Sequence, residues 1–244
     1  MSATADTSRV GRASTIQVAL VALFTTALVT AQLTATKILG FPIPVSLPVT
    51  GAELILPGAS LAYALTFLAS DCYAELYGRR AAHVLVAVGF AMNLVLLGLV
   101  WATIAAPAAA SSVDPTAFAT VLGASTNVVV GSLLAYVVSQ NWDVFVFHRL
   151  RNHTDGRALW LRNIGSTATS QAIDTVIFVG VAFYLAPQLL GVGSALPGSV
   201  LIGLAVGQYL LKLLIALCDT PVVYAIVGYA RSRADAGEPR PSAD

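Results

Sequence analysis

His83–Ala106 reads HVLVAVGFAMNLVLLGLVWATIAA, without a charged side chain and with one carboxamide, Asn93. A helix rises 1.5 Å per residue, and about 20 apolar residues cross the hydrocarbon core of a bilayer. A helix apolar on every side has no stable place on a water-facing surface, so this stretch reads as a membrane span. Five further apolar segments lie around it, at Ile16–Thr36, Leu54–Ser70, Ala117–Ser139, Ile164–Ala186 and Ser199–Val227. Connections rich in proline, glycine or charge separate them. The expected fold class is therefore all-α: a polytopic membrane protein with six transmembrane helices and both termini cytoplasmic.

The composition agrees with the pattern. Hydrophobic residues make up 57% of the 244-residue chain and charged residues 10%, with a mean hydropathy of +0.80. A soluble domain carries roughly 25% charged residues to hydrate its surface. A net charge of +1 argues against an electrostatic nucleic-acid binder, so no nucleic-acid partner is expected. Cys72 and Cys218 show no metal-ligand spacing and read as small apolar residues, so neither a metal nor a cofactor is expected. Arg9, Arg12, the following apolar run and Val29-Thr30-Ala31 have the look of a leader peptide. The run from Ile16 to Leu39 is too long for a leader's apolar core and is read as the first span.

The arginines fix the orientation. Arg9 and Arg12 precede the first span, and Arg79 and Arg80 follow the second. Arg149, Arg151, Arg157 and Arg162 follow the fourth, and Arg231, Arg233 and Arg240 follow the sixth. With six spans, every basic residue except Lys37 and the intramembrane Lys212 falls on one side, which the positive-inside rule makes cytoplasmic. The expected division is a cytoplasmic tail over 1–15, a transporter domain over 16–228 and a disordered polar tail over 229–244. The proline-rich stretch from Phe41 to Gly58 is expected to be an extracytoplasmic loop, with a partly re-entrant entry to the second helix as the alternative.

Ionisable groups at membrane depth cost several kcal/mol, so they mark cavities, partners or pathways. Asp174 lies about ten residues into the fifth helix, roughly 15 Å along it and near the midplane. Thr167, Ser170, Gln171, Asp174 and Phe178 share one face of that helix. Gln208, Lys212 and Asp219 share a face of the sixth, and the Lys212 ammonium calls for Asp219 or Asp174 as its anion. The fourth helix offers Ser132, Tyr136, Ser139 or Gln140, and Asp143 on one stripe, with Asn127 deeper. Asp71 and Glu75 stand one helical turn apart, where like charges repel unless Arg79, Arg80, Arg162 or a ligand's donors meet them. Asn93 reads as an interhelical hydrogen bond. Walker loops, zinc-protease His-Glu-x-x-His and Gly-x-Ser-x-Gly elbows are missing from the sequence, so no catalytic residues are assigned and an enzyme is not expected.

Three blocks carry a family resemblance. Leu65–Arg80, LTFLASDCYAELYGRR, is similar to a second-helix pattern LTFL-x-SD-x-x-x-E-x-YG followed by basic residues. Ser132–Asp143 resembles S-x-x-AY-x-x-SQ-x-x-D, and Leu159–Phe178 resembles LWLRN…ST…SQ-x-IDT-x-IF. Lys212 and Asp219-Thr220-Pro221 fit its K…DTP ending. On these residues the chain resembles the queuosine precursor transporter family. Ala64 stands where a proline is frequent, Cys72 is unusual beside the aspartate, and Ile164 follows a single asparagine where two are common.

The resemblance implies uptake into the cytoplasm of a 7-deazaguanine precursor of queuosine or archaeosine, such as 7-cyano-7-deazaguanine or its 7-aminomethyl relative. A carboxylate accepts the adjacent N–H and amino groups of such a base as a bidentate pair. Asp174 or Glu75 would serve, with Gln171, Asn163 and Gln140 as amides and Trp160, Tyr73 or Phe178 as a stacking face. The substrate-binding set is then Asp71, Glu75, Gln140, Trp160, Arg162, Asn163, Gln171, Asp174 and Phe178. Asp174, Lys212 and Asp219 form the coupling or ion-pair set. The expected partners are the deazapurine and membrane lipid, with homodimer formation left open. Three modes compete: a standalone secondary transporter, a membrane subunit energised by a separate ATPase, and a membrane-embedded enzyme.

Overall fold

A computed structural model describes residues 15–47, 51–153 and 159–237. In order, the elements are α1 (Thr15–Thr34), β1 (Ile38–Leu47), β2 (Gly51–Pro57), α2 (Ala59–Tyr77), α3 (Arg79–Ala105) and α4 (Pro115–Gly123). They continue as α5 (Ser125–His153), α6 (Leu159–Gly180), a π-helical turn at Val181–Leu185, α7 (Ala186–Leu190) and α8 (Gly198–Gly237). Among the described residues, five helical stretches are long and apolar enough to cross a membrane: Thr15–Thr34, Arg79–Ala105, Pro115–Leu150, Gly165–Leu190 and Gly198–Ser232. The remaining long helix, α2, carries Asp71 and Glu75 in its last third, and these lower its mean apolarity.

Each apolar segment of the sequence lies on a helix, but some boundaries differ. Leu54–Pro57 belongs to a strand, and α2 begins only at Ala59. The fourth segment is broken at Ala124 into α4 and α5. Asp114 caps α4, accepting from the Thr116 and Ala117 amides, and Pro115 fills the first helical position, where no amide is needed. Gly78, at φ 89°, ends α2 and starts α3 at once, a sharp turn that L-residues resist. Where a polar tail was expected from Tyr229, α8 runs on to Gly237.

The loop expected between the first two spans is an antiparallel β-hairpin. Ile38 pairs with Pro57, Gly40 with Ile55 and Pro42 with Glu53, and the Gly58 amide closes its base onto the Lys37 carbonyl at 2.6 Å. A two-stranded ribbon has only edge strands, so Pro42 and Pro44 cost it no interior ladder bond. Strand pairing satisfies the backbone of a segment that its prolines bar from a helix. The hairpin lies against α8, where the carbonyl of Ile55 sits 2.1 Å from the place a side-chain carbon on Gly207 would take.

Two buried clusters hold the bundle. One joins Ala31, Ala35, Ala59, Val128, Ala135, Phe178, Val179, Ala182, Phe183 and Leu204, drawn from α1, α2, α5, α6, the π-turn and α8. Its alanines let helix backbones approach closely, the main source of affinity between helices in lipid. The other packs Leu20, Phe24 and Leu28 of α1 against Ala69, Cys72 and Tyr73 of α2 and Ala82 and Leu85 of α3. Between the first cluster and the arginine-bearing end of the bundle lies a polar interior.

Candidate functional site

Lys212 of α8 reaches Asp174 of α6 at 2.5 Å, and the lysine is only 8% exposed. Ser139 of α5 donates a further hydrogen bond to the other Asp174 oxygen at 3.3 Å. Three helices thus meet on one carboxylate. An ammonium buried this deeply needs an anion, and of the two candidates read from the sequence the structure selects Asp174. Below it, Ser170 donates to Asp143 at 3.3 Å and Trp142 to Thr169 at 3.2 Å, fastening α5 to α6 by polar contacts.

The pair borders a narrow central cavity with about 50 Å³ of free space. Tyr63, Phe67, Tyr136 and Phe178 supply its aromatic walls. Gln32, Ser60, Ser132 and Gln208 supply polar groups besides the ion pair. Gln32, at 2% exposure, and Ser60, at 6%, are buried as deeply as the apolar core.

Further cavities lie on either side. Toward the arginine-bearing end, one is lined by Phe67, Asp71, Thr167, Gln171, Lys212 and Asp219. Another holds Phe67, Ser70, Asp71, Gln140, Gln171 and Asp174. Phe67 belongs to both and to the central cavity. Toward the hairpin end, a cavity lined by Thr36, Asn127, Phe183 and Gly193 shares Val128 with the central one. Val128 thus stands between the middle compartment and the hairpin end, and Phe67 with Lys212 and Asp174 between it and the arginine end.

Most residues singled out in the sequence converge on these spaces. Asp174, Phe178 and Lys212 border the central cavity, and Asp71, Gln140, Gln171 and Asp219 border those on the arginine side. Trp160, Arg162 and Asn163 fall on the first turn of α6, whose side chains lie outside the described residues. Glu75 is not brought in: it is exposed and pairs with Arg231 of α8 at 3.1 Å, rather than with Arg79 or Arg80. Tyr73 packs in the α1–α2–α3 cluster, where its hydroxyl accepts from Gln17 at 3.0 Å. Asn93 is 1% exposed, and neither side-chain polar atom has a partner among the described residues, contrary to the interhelical bond expected.

An exposed ion pair in high dielectric is worth about 0–1 kcal/mol. Glu75→Gln should therefore leave uptake within about twofold of the parent and barely move the thermal midpoint, as initial-rate assays and detergent melts would show.

The sequence reading passed over Gln32, Ser60 and Tyr63. A carboxamide inside an apolar first helix was the available signal, since such groups are rare at membrane depth without a partner. Ser60 and Tyr63 gave none, because both are common in helices and only tertiary packing turns them inward.

Apolar helices long enough to cross a membrane, around a cavity bordered by an ion pair, fit a multi-pass cell-membrane transporter of a small molecule. The chain belongs to the family described as "Putative vitamin uptake transporter", whose profile matches residues 57–226. It is similar to the "Probable queuosine precursor transporter" of Bacillus subtilis (strain 168), with 37% identity over 164 residues. That alignment covers 67% of this chain and 68% of the relative. No solved structure matches the chain.

Proposed function

We propose that the protein imports a 7-deazaguanine precursor of queuosine, 7-cyano-7-deazaguanine or its 7-aminomethyl relative, and works alone as a secondary transporter. The central cavity carries this reading. Its aromatic walls suit a flat bicycle, and its buried amides and ion pair suit the polar edges of that bicycle. The printed name of the Bacillus relative points to the same class of cargo. Asp174 and Lys212 are the groups on which an ion gradient would act, each able to exchange its partner for a group of the cargo.

In this reading α2 is a sixth span, because only then do Arg9 and Arg12 share a side with Arg79, Arg80 and Arg231. That side is the cytoplasm. Cargo enters past Val128 from the hairpin side and leaves past Phe67 into the cavities lined by Gln171. Its chemistry is unchanged on the way, so the protein is not an enzyme.

The test is rescue of queuosine in tRNA in a host unable to make the precursor and lacking ATP-binding subunits of vitamin uptake systems. Expression of the protein should restore the modified nucleoside when 7-cyano-7-deazaguanine is supplied at low concentration. Rescue only after such ATPase subunits are added back would overturn the standalone mode, and recovery of a chemically altered precursor would overturn simple transport.

A further inference from the structure

The central cavity holds more acceptors than it can satisfy. Gln32 Oε1, Ser60 Oγ and Gln208 Oε1 are buried with no hydrogen-bond partner among the described residues. They come from α1, α2 and α8, yet all three residues line the cavity that holds Asp174 and Lys212. Buried polar groups in native proteins are almost always paired, so three orphans around one space call for a common explanation. The strongest donor nearby, the Lys212 ammonium, is turned to Asp174 and reaches none of the three.

The imbalance has a direction. Carboxamide oxygens accept and never donate, and the Ser60 hydroxyl can accept beside them. A ligand that completes this wall must present N–H groups along one edge. A 2-amino-pyrimidinone ring does so, with a ring N–H and an exocyclic amino group side by side. Its 2-deamino counterpart keeps the ring N–H and loses the amino group.

We infer that Gln32, Ser60 and Gln208 form the specificity edge of the site, accepting from the ring N–H and 2-amino group of a planar 2-amino-pyrimidinone bicycle. This rests on the deazaguanine reading and goes further by assigning the donor edge to α1, α2 and α8 instead of to Asp174 or Glu75. Gln32 lies before the start of the family match at residue 57, so part of the edge stands on the helix that the match leaves out.

The experiment is competition for uptake of labelled 7-cyano-7-deazaguanine in cells expressing the full chain. The competitors are the unlabelled compound and its 2-deamino counterpart. The parent protein should bind the 2-deamino compound at least about tenfold more weakly, because it leaves an acceptor unmet. Whichever of Gln32→Leu and Gln208→Leu removes the acceptor of the 2-amino group should bring that ratio toward one by weakening only the 2-amino compound. Loss of the ring N–H acceptor weakens both, and Gln208→Glu, which keeps an acceptor, should preserve the ratio.

Ser60→Ala removes a single oxygen and should shrink the ratio in the same sense, which keeps the test open if a leucine variant does not fold. Equal weakening of both competitors by every one of these variants, with the ratio never changed, would mean that these residues only brace helices and would overturn the edge while leaving the cargo intact. No uptake of the labelled compound by the parent would overturn the cargo reading and the edge together.

Discussion

Lys212→Met should lower precursor uptake by more than about a hundredfold, although the variant keeps the length and apolar stem of the side chain it replaces. The change leaves the half-buried Asp174 with the Ser139 hydroxyl as its remaining partner among the described residues. Removing one partner of a buried ion pair costs about 3–5 kcal/mol, since an uncompensated charge must be held or neutralised. Part of that cost will appear as a lower thermal midpoint in detergent and part as lost transport. The double variant Lys212→Met, Asp174→Asn separates the two, because exchanging both charges for neutral groups is often close to neutral for stability. It should recover most of the melting temperature and none of the uptake. Uptake returning along with stability would reduce the pair to a brace between α6 and α8.

Gly207→Val is the second large effect. A first side-chain carbon there would stand 2.1 Å from the Ile55 carbonyl oxygen and 3.4 Å from a Leu56 methyl. The nearer atom is backbone within a paired strand, so it has no rotamer by which to yield. The hairpin must shift off α8, at a cost of about 1–3 kcal/mol typical of overpacking. Leu56, now 3% exposed, would be uncovered by the shift. The reporter is Leu56→Cys in a Cys218→Ser background, labelled with a membrane-impermeant maleimide. Labelling should be far faster when Gly207→Val is added than when Gly207 is kept. Equal rates would show that the hairpin does not depend on this contact.

What the sequence disclosed depended on how local each signal was. α1, α3, α5, α6 and α8 follow from apolar runs, and a charge in the midst of one, such as Asp174 or Lys212, is conspicuous because it is costly. The hairpin was hidden. Pro42, Pro44 and Pro57 announce only that a helix stops, whereas the pairing of Ile38 with Pro57 is a relation between distant residues. Spacing put Asp71 and Glu75 on one side of α2, but the packing of α8 decided that Glu75 meets Arg231 and that Asp71 borders a cavity. Gln32, Ser60 and Gln208 show the limit most clearly. Each is an ordinary polar residue on its own helix, and only the assembled bundle makes them neighbours of a single space.

Residues lining the central cavity come from α1, α2, α5, α6 and α8, and none of the described ones comes from α3. A molecule bound there would act as a keystone, touching five helices that otherwise meet mainly through small side chains. With cargo at a hundred times its dissociation constant, such linkage stabilises the assembled form by about 2.7 kcal/mol. The loaded carrier would be stiff and the unloaded one restless, with α3 an outer stave that the cargo never grips.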